Sequence, residues 1–166
     1  MGGQISCLLP FAAIALVAGL WTRRGTPRGD RIRAAYLLWG GWAIVHALVF
    51  SYMTGIVHAY YTVALAPAVA ALVGMGAVDM WRLRAHPASR WVLSLAIAAS
   101  GVWAFALLGR TPGFAPGLAW AVLAGSLAGA ALLMADDARL PRRAGAAAAV
   151  VAAIALIAGP SAYALD

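Results

Sequence analysis

The sequence predicts an all-α protein, a polytopic transmembrane bundle of about six membrane-spanning helices, and three observations carry that prediction. Of its 166 residues 64% are hydrophobic and 10% charged, with a mean hydropathy of +0.88, whereas a soluble domain carries roughly 25% charged residues. The apolar residues fall into six runs, each near the roughly 20 residues that a helix needs to cross about 30 Å of hydrocarbon. The charges fall almost wholly between those runs, and the alternation of a barrel strand is absent, which leaves helices.

The first run covers residues 5–21 and ends on Trp21. The second, 34–52, encloses His46 and ends on Tyr52. The third, 62–81, follows the uncharged aromatic loop GIVHAYY and is broken early by Pro67, so that it is expected to kink or free backbone groups near the surface; it ends on Trp81. The fourth, 91–109, opens on Trp91. The fifth, 117–134, places Gly117, Ala121, Gly125 and Gly129 four residues apart, and the third places Ala66, Ala70 and Gly74 likewise. Small residues at that spacing let helix backbones approach closely where lipid supplies no hydrophobic drive. The sixth, 144–160, is rich in Ala and ends at Pro160. Trp21, Tyr52, Trp81 and Trp91 suit an interfacial belt, while Trp39, Trp42 and Trp103 lie deeper and read as packing. No internal repeat or long linker divides the chain, so residues 1–166 form a single transmembrane helical domain.

All 12 basic residues are Arg and all five acidic residues are Asp. Loops 22–33, 82–90 and 135–143 carry eleven of the arginines; loop 53–61 carries none and loop 110–116 only Arg110. An excess of Arg marks cytoplasmic loops, so both termini and the loop holding His58 are expected to be extracytoplasmic. The same distribution explains the net charge of +7 as topology, and no nucleic-acid partner is expected. The single cysteine, Cys7, excludes an intrachain disulfide. The apolar start has its arginines after it rather than before it, unlike a secretory signal peptide.

Chemistry is then sought among few residues. Asp30, Asp136 and Asp137 lie in Arg-rich loops and Asp79 within a turn of Arg82, so local ion pairing is their expected role; Asp166 is terminal. No catalytic residue and no metal ligand is assigned, and no cofactor is expected in this chain. His46 is an ionisable residue inside a span, and such residues are costly, tend to face the bundle interior and default to a functional reading. Against that stands a neutral imidazole hydrogen-bonded to another helix. His86, before Pro87, is a loop residue with no expected role. In the outer loop His58, Tyr60 and Tyr61 offer hydrogen-bond donors to a phosphate at the membrane surface, with Pro67 shaping the helix below. An ordinary aromatic belt with a proline kink explains the same residues.

The run HAYYTVALAPAVAALVG resembles an HPYYTVALAPAIAALVG-like stretch of a bacterial, largely actinobacterial, branch of membrane glycosyltransferases related to the protein O-mannosyltransferases and the aminoarabinose transferases. GGQIS with LLP near the start and AGPSAYAL at the end are similar to segments of the same branch, in the same order. Ala59 stands where that branch has a proline. The resemblance implies a multi-helix enzyme of the bacterial cell membrane that takes a sugar from a polyprenyl-phosphate carrier to an extracytoplasmic acceptor, with His58, Tyr60 and Tyr61 near the carrier phosphate and with membrane lipid around it. It also implies a catalytic acid in a large outer loop of an N-terminal half, and a divalent metal can serve the complete enzyme. These 166 residues have no counterpart to that loop, so the expectation is a C-terminal membrane half whose catalytic half is supplied by the same or another polypeptide. The competing reading is a small six-helix transporter or half-transporter with His46 as its ion or proton site; a structural membrane subunit is a third.

Overall fold

The computed structural model describes residues 6–54, 63–110, 116–135 and 142–165. Six α-helices follow in order: α1 (Leu9–Thr22), α2 (Arg31–Tyr52), α3 (Ala66–Arg82), α4 (Pro87–Leu108), α5 (Pro116–Met134) and α6 (Arg142–Leu165). No strand occurs among the described residues. Four helical stretches, Arg31–Tyr52, Val63–Arg82, Pro87–Leu108 and Gly117–Met134, are long and apolar enough to cross a membrane, and Leu9–Thr22 and Gly145–Ala158 are shorter apolar helices. At 1.5 Å per residue the 14 residues of α1 reach about 21 Å.

Caps and prolines set the helix boundaries, which is why several differ from those read from hydropathy. Asp30 caps α2, its Oδ1 accepting from the Arg33 N–H at 2.6 Å. One orphan N–H of the first turn is thereby satisfied, and α2 takes in Arg31 and Arg33, expected in a loop. Pro10, Pro67 and Pro87 each fall in the first two positions of their helices, and α5 opens on Pro116. A first-turn N–H has no intrahelical partner, so proline loses nothing there and its fixed φ favours entry. Pro67 therefore starts α3, after a 3₁₀ turn at residues 63–65, instead of breaking a longer helix. Pro160 does lie within a helix, and α6 continues past it to Leu165, where the expected helix ended; its missing N–H withdraws the partner of the Leu156 carbonyl.

The helices run alternately up and down, and side-chain contacts fix the alternation. Gly19 near the end of α1 lies under the Tyr36 ring near the start of α2. Ser100, late in α4, accepts from the buried Phe11 N–H at 2.9 Å, capping from a neighbouring helix an orphan donor at the start of α1. The main core joins Phe11 and Ala15 of α1, Met80 of α3, Leu93, Ala96 and Ile97 of α4, Ala130 and Leu133 of α5, and Ala152 and Leu156 of α6. Helix α2 takes no part in it; only Tyr36 and Gly40 in its first half are buried.

Close approach occurs where glycine meets a small or flat neighbour. Gly76 faces Ala15, Gly101 faces Ser126, and Gly125 would bring a Cβ within 3.0 Å of Ala155 Cβ. The fifth run is thus a packing helix as expected, through Gly125 and the buried Gly129, although Gly117 and Ala121 are exposed. On α3 the expected row is displaced. Ala70 and Gly74 are exposed, a Cβ on Gly74 meets nothing within 4 Å, and the buried row is Ala68, Leu72, Gly76 and Met80.

Candidate functional site

Two polar assemblies lie at opposite ends of the bundle. The first is at the Arg-rich end, where α1 and α3 finish and α2 begins. Asp79, 8% exposed, accepts from Arg23 Nη2 at 3.2 Å on Oδ1 and 3.0 Å on Oδ2, and from the Tyr36 hydroxyl at 3.1 Å. Arg23 Nη1 lies 3.8 Å from Asp30 Oδ2. This corrects the expected pairing of Asp79 with Arg82: the partner comes from a different helix end, because Asp79 points into the bundle with Met80 while Arg82 is exposed. The Asp79 carboxylate is fully engaged by one cation and one hydroxyl, so this assembly locks helix ends and offers no base. The Arg23 Nε–H is buried without a partner among the described residues.

The second assembly lies between the middle and the C-terminal end of α2. Residues Trp39, Trp42, His46 and Phe50 recur three or four apart and so share one face. Trp39 and Trp42 have ring centroids 5.8 Å apart; Trp42 and His46 stack at 5.4 Å with an interplanar angle of 14°; His46 meets Phe50 edge-on at 5.8 Å. His46 Nδ1 lies 2.9 Å from the Trp42 carbonyl oxygen. A carbonyl only accepts, so Nδ1 is the donor in this contact. His46 is half-buried and bonded within its own helix, neither turned into the main core nor tied to another helix as the sequence reading expected.

The Trp42 indole N–H donates to the Ala64 carbonyl at 2.9 Å. Ala64 is the middle residue of the 3₁₀ turn before α3, so this bond fixes the start of α3 beside Trp42. Ten residues of α2 lie beyond Trp42, about 15 Å of helix, and Ile44, Val45, Leu48, Val49 and Tyr52 on that overhang are exposed. The candidate site is therefore the end away from the Arg-rich loops, bracketed by the α2 aromatic ladder on one side and by Ala64 and Pro67 on the other. His58, Tyr60 and Tyr61 lie outside the described residues. Pro67 is exposed at the second position of α3. Sequence reasoning assigned Trp42 to packing and missed its hydrogen bond to the turn; the i, i+3, i+4 spacing of Trp39, Trp42, His46 and Phe50 was the available signal.

Over 85 residues, half of this chain, the sequence is 38% identical to the Bacillus subtilis (strain 168) protein named "Putative mannosyltransferase YycA". The match spans 12% of the length of that relative. No protein-family model matches the chain, and no solved structure matches it.

Proposed function

We propose that this chain is part of an integral-membrane glycosyltransferase that moves a sugar from a polyprenyl-phosphate carrier to an extracytoplasmic acceptor. The observation that carries the reading is the 38% identity to YycA, a protein named for mannosyl transfer. The apolar helices supply the membrane setting that a lipid-linked donor requires. The bond from Trp42 to Ala64 supports the reading further, because it holds the turn at residues 63–65, just after the HAYY residues in sequence, against α2.

In this reading the Arg-rich end is cytoplasmic, and loop 53–61 and both termini face outward. His58, Tyr60 and Tyr61 donate hydrogen bonds to the carrier phosphate. Phosphate oxygens accept strongly from such groups, and a cationic imidazole adds charge to the contact. Pro67 begins the helix beneath them. No general acid or base for glycosyl transfer is assigned within these residues: Asp30 and Asp79 are held at the opposite end of the bundle, and the acid is supplied from elsewhere in a longer polypeptide or from a partner.

The test is transfer of radiolabelled mannose from polyprenyl-phosphate mannose in membranes from cells with and without the gene. Loss of transfer on deletion, with recovery on complementation, is expected. Equal transfer in both membranes would overturn the proposal. His46, bonded to its own helix and stacked on Trp42, lends no support to a proton-carrying site, so no transporter reading is kept.

A further inference from the structure

Helices α3 and α6 both pack against α4 but scarcely against each other. The gap is a lengthwise groove of 370 Å³ lined by Val73, Ala77, Ile97, Leu133, Ala153 and Leu156 among others. Its lining is apolar except at the Arg-rich end, where Trp81 and Arg82 close it. Arg82 is the one charged residue of that lining, and it forms no ion pair among the described residues. A second cation lies against the lining residue Trp81: the Arg84 guanidinium lies 4.3 Å over the Trp81 ring and donates to the Trp81 carbonyl at 2.9 Å. The described carboxylates at this end are already engaged, Asp79 by Arg23 and Tyr36, and Asp30 by the α2 cap and Arg23.

We infer that this groove binds an anionic phospholipid of the Arg-rich leaflet, with one acyl chain along Val73, Ala77 and Leu156 and the phosphate at Arg82 and Arg84. Three features fit that occupant. A groove with almost no polar lining cannot hold water, which needs two to four polar partners, and left empty its walls would forfeit their dispersion contacts. From Arg82 to Val73 is nine residues, about 13 Å of helix, close to the half-thickness of the roughly 30 Å hydrocarbon layer that an acyl chain from one leaflet reaches. The charge is at the end where the headgroup would lie, and guanidinium groups match phosphate oxygens with paired donors. A second groove, lined by Ala13, Val17, Trp21, Met80 and Val92, has no charged residue in its lining and lacks this complementarity. The headgroup end of the site lies opposite the end held by the Trp42–Ala64 bond, and the assignment does not depend on the transferase reading.

The test is native mass spectrometry of the purified full chain in detergent with equal concentrations of dioleoyl phosphatidylglycerol and dioleoyl phosphatidylcholine. The unmodified protein should retain phosphatidylglycerol preferentially. Arg82→Gln should lower that preference about five-fold, the equivalent of ~1 kcal/mol for one basic residue near an anionic surface, whereas Arg110→Gln at the far end should not change it. Ala153→Trp, which fills the groove from an exposed position, should abolish retention of both lipids. An unchanged preference in Arg82→Gln, or undiminished lipid retention in Ala153→Trp, would overturn the assignment. So would displacement of phosphatidylglycerol by equimolar undecaprenyl phosphate, which would make the groove a carrier site.

Discussion

Arg23 and Asp79 are 56 residues apart in sequence and meet at 3.0 Å where α1 and α3 end side by side. The side chains are 21% and 10% exposed, so the pair is largely withdrawn from solvent. Removing one partner of such a pair strands the other charge, at a cost of roughly 3 kcal/mol. Asp79→Leu should destabilise the bundle by about that much. Arg23→Met combined with Asp79→Leu should recover part of the loss, since the largely buried guanidinium is then gone, while Asp30 gives up its 3.8 Å contact with Arg23 but keeps its bond from the Arg33 N–H. Unfolding followed by circular dichroism in detergent checks this; a double variant no more stable than the single one would mean that the cost lies in something other than the stranded arginine.

The glycines of α3 offer a direct comparison. A Cβ on Gly76 runs into Ala15, with the Ala15 Cα at 3.3 Å, whereas a Cβ on Gly74 meets nothing within 4 Å. Gly76→Ala is expected to lower stability by about 1 to 3 kcal/mol through overpacking. Gly74→Ala is expected to raise it by up to about 1 kcal/mol, the helix-propensity difference. Thermal midpoints moving in opposite directions are the expected outcome.

That comparison also shows what the sequence could and could not convey. The number and order of the helices were legible, because side-chain transfer into lipid decides them and hydropathy measures that transfer. Helix ends were less so: Asp30 and Pro87 act on backbone N–H groups, and a hydropathy average passes over both. Which small-residue row packs was not legible, since Ala66, Ala70 and Gly74 have the same spacing as Ala68, Leu72 and Gly76, and spacing alone does not say which face meets α1. The partner of Asp79 was misread because Arg82 is near in sequence, while Arg23 is near only once α1 and α3 are packed together. His46 was singled out correctly as a residue needing explanation, but its bond runs to the Trp42 carbonyl of its own helix.

Ser100 satisfies the buried Phe11 N–H across the α1 and α4 contact. Ser100→Ala should leave that donor unpaired at a cost of about 1 to 3 kcal/mol. Ser94 and Ser126 are also buried, yet their hydroxyls have no partner among the described residues, so their replacement by Ala should cost less. The three alanine variants, compared by denaturant midpoint, should therefore rank with Ser100→Ala the least stable.

The proton on His46 Nδ1 separates the two roles considered for that residue. If the ring only packs, His46→Phe keeps the stack with Trp42 and gives up one hydrogen bond to a carbonyl on the half-exposed side of α2, a change of about 1 kcal/mol or less. Reconstituted vesicles should then show the same proton leak with the variant as with the unmodified chain. A proton flux that is present in the unmodified protein and absent in His46→Phe would restore the transporter reading.

Trp42 ties α2 to the turn at residues 63–65, which follows the HAYY residues in sequence, and it gives the proposed carrier site its most specific test. Trp42→Phe removes the indole N–H that binds the Ala64 carbonyl while leaving an aromatic ring against His46. The loss of one hydrogen bond should cost about 1 kcal/mol of stability. With the turn at residues 63–65 no longer tied to α2, the donors upstream of it should be less well placed, so carrier binding should weaken while the chain remains folded. His58→Ala should weaken it further, by roughly ten-fold or more if the imidazole makes a charge-assisted bond worth about 1.5 to 3 kcal/mol. Both effects should appear in KM for the lipid-linked sugar more than in kcat, measured on the complete transferase, because neither side chain is assigned to the bond-breaking step. A fall in kcat with an unchanged KM would instead place His58 at the reacting centre.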